Sequence, residues 1–428
     1  MKRIFFVLII FLSISLIFSC GKKTDDQSET ISKLKQEIVE LKATITKLEA
    51  ELVLARTPKE PLKIGVLVPL TGIVAQGGLE MKYGIEMAAE EKGTVLGRPI
   101  ELLVEDTQIK APVAVTKAEK LVYKDDCKAL IGVFSSGVGL ALAANIDKLN
   151  VPFVTTHVMT TALYGLNPLV FRSGQLANDQ TAVGNVNGIL ARSDLKDKTY
   201  YVIVHDYAWG HDAGKRFIDL AKANGIKIYN EEFDKAPTST KDWSSYISKI
   251  KASGADGVYI AFITNVIPAF AKQMSDFGLQ GKVKIVSAAA PGPLELEAGG
   301  EACYGIFGAS DWSWDVNTPT SDAWEMRFWN KFKTIPSDAA VHSYVGAMNL
   351  FNAIEKAGST DAKAIADALR GISFDGPYGN VRISAKDNCM RNTAVLTETM
   401  AAPENPFGAK VYMKVLKTFT AAELGPAE

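Results

Sequence analysis

The apolar positions of the chain change rhythm twice. Residues 4–18 form an apolar run interrupted only by Ser13 and Ser15, behind the basic pair Lys2-Arg3. Ile31, Leu34, Ile38, Leu41, Ile45, Leu48 and Leu52 then recur at alternating steps of three and four. This is a heptad helix with isoleucine at a and leucine at d until the last a, a choice that suits two parallel strands. Beyond residue 61 the rhythm becomes short β-branched runs separated by stretches of helical period. Strands are expected at 63–68, 100–105, 129–134, 152–156 and 169–172, with helices at 79–92, 111–126 and 138–149. The alternation restarts with strands at 199–205, 226–233, 257–261 and 283–287 and helices near 210–224, 241–253 and 265–278. A strand at 304–309, helices near 320–333, 338–358 and 361–370, and short strands near 380–383 and 393–399 complete the pattern. Two successive strand–helix series predict an α/β protein with two doubly wound parallel-sheet lobes.

The first segment has the layout of an export signal, and it is shorter than the roughly 20 residues a spanning helix needs. It ends at Ile17-Phe18-Ser19-Cys20, which resembles a bacterial lipobox, although Phe18 departs from the small or aliphatic residue usual there. Residues 1–19 are therefore expected to be a lipoprotein signal peptide and Cys20 the lipid attachment site. The other reading is an uncleaved anchor helix. Both place the remaining residues outside the cytoplasm, in the periplasm or at the outer cell surface, held to the membrane. Residues 20–61 read as a polar tether and coiled-coil stalk, closed by Pro58 and Pro61, which stop a helix. Glu37 at g and Lys42 at the following e form an attractive pair between chains. A free peptide of this length is marginal, but tethering raises local concentration. The stalk is either a homodimer contact through residues 31–52 or a solvated spacer.

Lys+Arg 47 against Asp+Glu 48 leaves a formal charge of −1 over 428 residues, so there is no basic excess to suggest nucleic acid. With 47% hydrophobic residues, a packed core rather than disorder is expected. Four cysteines do not make a disulfide scaffold, and four histidines without HExxH or a paired CxxC leave no metal motif. No metal and no cofactor are expected. A Cys303–Cys389 bridge remains open, while Cys127 reads as a small buried residue.

Ligands of doubly wound sheets sit outside the carboxyl ends of the strands, so the residues after each strand matter most. They are Pro69 to Gly78, then Ser135-Ser136-Gly137, then His157-Val158-Met159-Thr160-Thr161, and in the second series Asp206-Tyr207-Ala208-Trp209-Gly210. Small, hydroxyl-bearing and aromatic residues with few charges suit binding more than bond-breaking. Gly137-Val138-Gly139 imitates a dinucleotide fingerprint, but Leu142 occupies its third position. Gly214-Lys215 is one residue short of a phosphate loop, and Ser135-Ser136 lacks the flanking glycines of a hydrolase elbow. No catalytic residues are assigned. Ser135 and Ser136 at a helix start either bind an anion, with the free N–H groups behind them, or simply cap the helix.

Residues 63–78 (KIGVLVPLTGIVAQGG), 129–137 (ALIGVFSSG), 202–206 with Trp209-Gly210, and 255–259 together resemble the leucine/branched-chain amino-acid-binding proteins, type I solute-binding proteins of ATP-binding-cassette transporters. The resemblance covers residues 62–428. It implies two α/β lobes joined by three crossovers, 62–173 plus 311–390 and 174–310 plus 391–428, closing on an amino acid or related carboxylate. Permease and ATPase subunits would be the partners. The alternative is a sensor of the same fold that signals through its stalk. Ser136 matches the serine that binds the ligand carboxylate, and Thr160 or Thr161 falls in a loop that holds carboxylate and ammonium. Tyr207 or Trp209 matches an aromatic lid, and Phe262 or Ile263 a common tyrosine position. In place of the family's acidic residue stands Ala288-Ala289-Ala290, so either Asp206 or Asp311 replaces it or the ligand lacks an α-amino group. Gly77 stands where relatives have a bulkier contact residue. His157 is either a ligand hydrogen-bonding group or a structural histidine. Trp312, near the second crossover, either walls the cleft or packs at the hinge.

Overall fold

The computed structural model describes residues 25–56 and 59–425, so the expected signal peptide and Cys20 lie outside the described residues. The chain divides into two units, Met1–Lys59 and Glu60–Glu428. In the first, α1 (Asp25–Arg56) is one helix. It leaves Leu41, Ile45 and Leu48 of the heptad seam exposed. No helix among the described residues is long and apolar enough to cross a membrane.

The second unit is built around two large sheets. Its first series runs β1 (Leu62–Val68), α2 (Ala75–Lys92), the short β2 (Thr94–Val95), β3 (Arg98–Asp106), α3 (Ala111–Glu119), β4 (Leu130–Gly132), α4 (Ser136–Ala143), β5 (Phe153–Thr155) and β6 (Val170–Arg172). The strand order is β2-β3-β1-β4-β5-β6. From β3 to β6 all neighbours are parallel. β1 is buried almost throughout, as a parallel strand covered on both faces must be. The helix expected over 111–126 loses its regular turns after Glu119 and widens into a π turn, Lys120–Lys124.

The second series runs α5 (Asn178–Leu190), β7 (Thr199–His205), α6 (Ala208–Ala223), β8 (Lys227–Ile228), β9 (Asp234–Ala236), α7 (Ser244–Ser253), β10 (Gly257–Ala261), α8 (Ile267–Asp276), β11 (Lys284–Ser287), α9 (Pro293–Gly299) and β12 (Phe307–Ser310). The strand expected over 226–233 is instead two short pieces. Between them the Asn230 side chain takes the place of a backbone rung: Oδ1 accepts from Val202 N (2.8 Å) and Nδ2 donates to Val202 O (2.9 Å). Phe217 and Tyr259 stack at 3.8 Å on one face of this sheet, and Trp243, Phe262 and Phe270 fill the other.

After β12 the chain returns to the first sheet. Helices α10 (Pro319–Phe332), α11 (Asp338–Ala357) and α12 (Ala362–Leu369) bring Trp324, Phe328, Val341 and Leu350 into one core with Ile64, Val66, Met81 and Ile85. A small antiparallel sheet of β13 (Ser373–Gly376), β14 (Gly379–Ile383) and β15 (Met390–Arg391) follows. β16 (Ala394–Ala401) and β17 (Val411–Phe419) then rejoin the second sheet antiparallel, giving the order β17-β16-β12-β11-β10-β7-β8 with β9 also on β7. The second sheet is thus mixed, and its last strand was not expected from sequence. The chain passes between the sheets after β6, β12 and β15. Cys127, Cys303 and Cys389 are all buried and free, so the Cys303–Cys389 bridge does not form.

Candidate functional site

Each sheet reverses its winding beside its first strand. β1 lies between β3 and β4, and β7 lies between β10 on one side and β8 and β9 on the other. Crevices open at the carboxyl ends of strands at such points. The loops leaving β1, β4, β7 and β10 meet around a cleft of about 380 Å³.

The exit from β4 is a forced turn. Gly132 has φ 118° and Val133 φ 70°, a conformation that costs a β-branched residue about 1–3 kcal/mol. Val133 N donates to Leu67 O at 2.7 Å, which holds the turn to the end of β1. The chain is thereby aimed so that Phe134, Ser135 and Ser136 line the cleft. Ser135 is the N-cap residue of α4, yet its side chain makes no capping hydrogen bond. Its hydroxyl stands with the first-turn N–H groups of α4 at the positive end of the helix dipole. Gly77 makes this possible, since a Cβ there would lie 2.9 Å from the Phe134 ring. Ile109, a second β-branched residue in the left-handed region (φ 57°), also lines the cleft.

His157 follows β5, with its ring 4.3 Å from that of Phe134 and its Nδ1 3.3 Å from His342 Nδ1. Burial, and then the nearby His342, hold its pKa well below the ordinary value, so it is neutral. The second lobe contributes Tyr207 and Trp209 after β7, Phe262 and Ile263 after β10, and Ala289 after β11. The Tyr207 and Trp209 rings lie 5.8 Å apart, and the buried Trp209 Nε1 has no hydrogen-bond partner among the described residues. At the cleft Asn265 Nδ2 of the second lobe donates to Ile73 O of the first at 2.6 Å.

Ser135, Ser136, His157, Tyr207, Trp209, Phe262 and Ala289 are therefore brought together, whereas Thr160, Thr161 and Trp312 are not on the cleft wall. Thr160 Oγ1 accepts from Ala162 N, capping a short 3-10 turn. Thr161 Oγ1 accepts from Arg216 Nη2 at 2.7 Å, which ties that loop to α6. Trp312 is enclosed in the first core, and its Nε1 donates to Ser321 Oγ at 2.9 Å. Asp206 and Asp311 also lie off the wall. Asp206 Oδ1 is 2.8 Å from His211 Nε2, and Asp311 Oδ1 accepts from Leu176 N at 2.5 Å.

The acidic residues that do line the cleft are Glu80 on α2, Glu295 on α9 and Asp338 at the start of α11. Sequence reasoning passed over them because each sits in a helix, where an acid reads as a solvated surface residue. The signal that could have found Glu80 is its place one turn after Gln76-Gly77, on the helix that leaves β1. Burial, followed by repulsion from Glu295 and Asp338 and against hydrogen bonds from Ser337 and Gln76, pushes Glu80 up to about 7. Burial likewise raises Glu295 and Asp338. Among the described residues no lysine or arginine lines the cleft. Among the described residues no group of His, Cys, Asp and Glu could hold a metal.

Residues 61–402 match the family described as periplasmic binding protein. The chain belongs to that family. It is therefore a solute-binding protein of the transporter-associated, extracytoplasmic kind and not an enzyme. It is 27% identical over 374 residues to a Leu/Ile/Val-binding protein homolog from Brucella suis, covering 84% of this chain and 91% of that one. It is 28% identical over 335 residues to the leucine-, isoleucine-, valine-, threonine- and alanine-binding protein of Pseudomonas aeruginosa, covering 76% and 87%. In fold it resembles an ABC-transporter solute-binding protein of Rhodopseudomonas palustris solved with 3,4-dihydroxybenzoic acid. That likeness has a TM-score of 0.78 at 21% identity and covers 85% of this chain and 98% of that one.

Proposed function

We propose that this protein captures a small amino acid or related carboxylate in the cleft and delivers it to the permease and ATPase subunits of an importer. The observation that carries the reading is the uncapped Ser135 with Ser136 at the start of α4, facing Tyr207 and Trp209 across the cleft. A carboxylate there would receive hydroxyl and N–H donors at a helix N-terminus without a cationic side chain. The aromatic pair would cover the ligand's apolar body as the lobes, residues 62–173 with 311–390 and 174–310 with 391–428, close. The ligands named for the relatives support this, since amino acids and a dihydroxybenzoic acid all bear a carboxylate. Lipid attachment at Cys20 would hold the protein at the membrane, with α1 as stalk and, in pairs, as dimer contact. A thermal-shift screen against amino acids, aromatic acids and dicarboxylates tests the reading, because a ligand that binds only the folded state raises the midpoint. A Ser136→Ala variant that retains full affinity for the best hit would overturn it.

A further inference from the structure

The chain leaves β6 through a short stretch, residues 173–177, that is bonded to the other two crossovers. Arg172 N donates to Asn388 O at 3.0 Å, just ahead of β15 and the third crossover. Ser173 N and Gln175 N donate to Thr155 O and Thr156 O at the end of β5, at 2.9 and 3.3 Å. Leu176 N donates to Oδ1 of Asp311, the residue that opens the second crossover. Gly174 is required between them, since its φ is 149° and a Cβ there would stand 2.1 Å from Thr156 O. The buried Arg172 closes the stretch on itself, its Nη1 donating to Gln175 O. All three crossovers thus meet around Gln175.

The backbone of Gln175 is therefore fixed, but the fold makes no use of its side chain. The residue is 6% exposed and lines the cleft. Both of its backbone groups are bonded, while the side-chain amide has no hydrogen-bond partner among the described residues. Nor is the amide sealed in protein, since its atoms are not among the fully enclosed polar atoms that lack a partner. A carboxamide so nearly buried costs free energy when it has nothing to bond, and it opens only onto the cleft. His157, another polar residue of the cleft wall, follows Thr156, whose carbonyl accepts from Gln175 N.

We infer that Gln175 is a specificity-determining residue whose amide takes an uncharged donor–acceptor group of the ligand, a hydroxyl or a carboxamide. The inference rests on the reading of the cleft as a carboxylate site and names the second group that the ligand carries. An amide donates from Nε2 and accepts at Oε1, so only a group that does both satisfies it. A carboxylate would meet Nε2 alone, an ammonium Oε1 alone, and a methyl group neither. Because Gln175 lies where the crossovers meet, the same contact ties the ligand to the part of the chain that bends as the lobes close. The hinge, and not the lobe walls alone, then reads the ligand.

Calorimetry on the whole protein with benzoate, 4-hydroxybenzoate, 4-carbamoylbenzoate and benzamide, and with pentanoate and glutaramate, separates the two groups. A hydroxyl or carboxamide member should bind about 10-fold tighter than its parent acid, and Gln175→Leu should abolish that advantage. If no such member outbinds its parent, or the advantage survives in Gln175→Leu, the inference falls; benzoate or pentanoate still bound would leave the carboxylate reading intact. Benzamide bound as tightly as 4-carbamoylbenzoate would do the reverse. Without any ligand, the thermal midpoint should not fall in Gln175→Leu, and a clear fall makes the amide part of the fold and ends the inference. Dyes on Tyr123→Cys and Tyr229→Cys, exposed positions of the first and second lobes, follow closure by energy transfer. Saturating 4-carbamoylbenzoate should change the transfer less in Gln175→Leu than in the protein that keeps Gln175, and equal changes would overturn the link to the hinge.

Discussion

Gly84 of α2 meets Ala340 of α11 with no room for a side chain, since a Cβ on Gly84 would stand 2.1 Å from the Ala340 carbonyl oxygen. Glu80 lies one turn before Gly84, and Asp338 lies two residues before Ala340, so this backbone contact also sets the spacing of two cleft carboxyl groups. Gly84→Ala should push the helices apart and destabilise the protein by about 1–3 kcal/mol, the usual range for overpacking. Urea titration would measure the loss, and ligand affinity should fall with it.

Tyr207 and Trp209 should respond differently to truncation. Trp209 is 3% exposed and belongs to the core of the second sheet, so Trp209→Ala should cost about 3–5 kcal/mol of stability. Tyr207 is only partly buried against that core, and Tyr207→Ala should weaken ligand binding while the urea midpoint hardly moves. Equal effects of the two on stability would remove Tyr207 from the role of lid.

Glu325 gives a pH signature away from the cleft. Burial pushes it up to about 7 against a hydrogen bond from Ser321. The folded state therefore binds the proton more tightly than the unfolded state, whose value is 4.5. Its contribution is fully present below about 4.5 and is lost as pH rises through about 7, at about 1.4 kcal/mol for every tenfold difference in proton affinity between the two states. Glu325→Gln should lessen the fall in stability between pH 5 and pH 8, read as urea midpoints at the two values.

Cys20→Ser should release the protein from membranes or block its processing. Fractionation after expression decides the point, and a variant that is cleaved normally and still sediments with membranes excludes the lipid.

The exposed Leu41, Ile45 and Leu48 of α1 should pair between anchored copies. A Leu41→Cys variant on vesicles should give disulfide-linked dimers. Monomer alone at high surface density would leave α1 as a spacer.

Much of the fold was legible because buried parallel strands such as β1, β7 and β10 are continuous apolar runs. Helix α5 was not, because its buried face carries Asn178, Gln180, Thr181 and Asn185. Asn185 serves the sheet instead of the core: Nδ2 donates to Ser287 O (3.1 Å) and Oδ1 accepts from Ala309 N (2.6 Å). A polar side chain that bonds to strand backbone gives no hydrophobic period. The cleft was legible where a loop follows a strand, as at Ser135 and Tyr207, since the position of those loops is dictated by topology. Glu80, Glu295 and Asp338 meet only through helix packing, which leaves no mark in local sequence. Thr160 and Trp312 were drawn toward the site by sequence position, but a 3-10 turn and an enclosed core hold them elsewhere.

The three free thiols among the described residues tie the protein's chemistry to its mechanical integrity. Burial pushes Cys127 up to about 12 and Cys303 and Cys389 up to about 11, so almost no thiolate is available to an oxidant while the chain is folded. The family works where disulfides persist, yet these sulfurs stay reduced by being shielded. Once a chain opens, these three thiols cannot all pair with one another, and the third is left for a neighbour or for Cys20, should that residue carry no lipid. Covalent aggregates in an aged sample would thus count past unfolding events, a ledger that the intact protein cannot write.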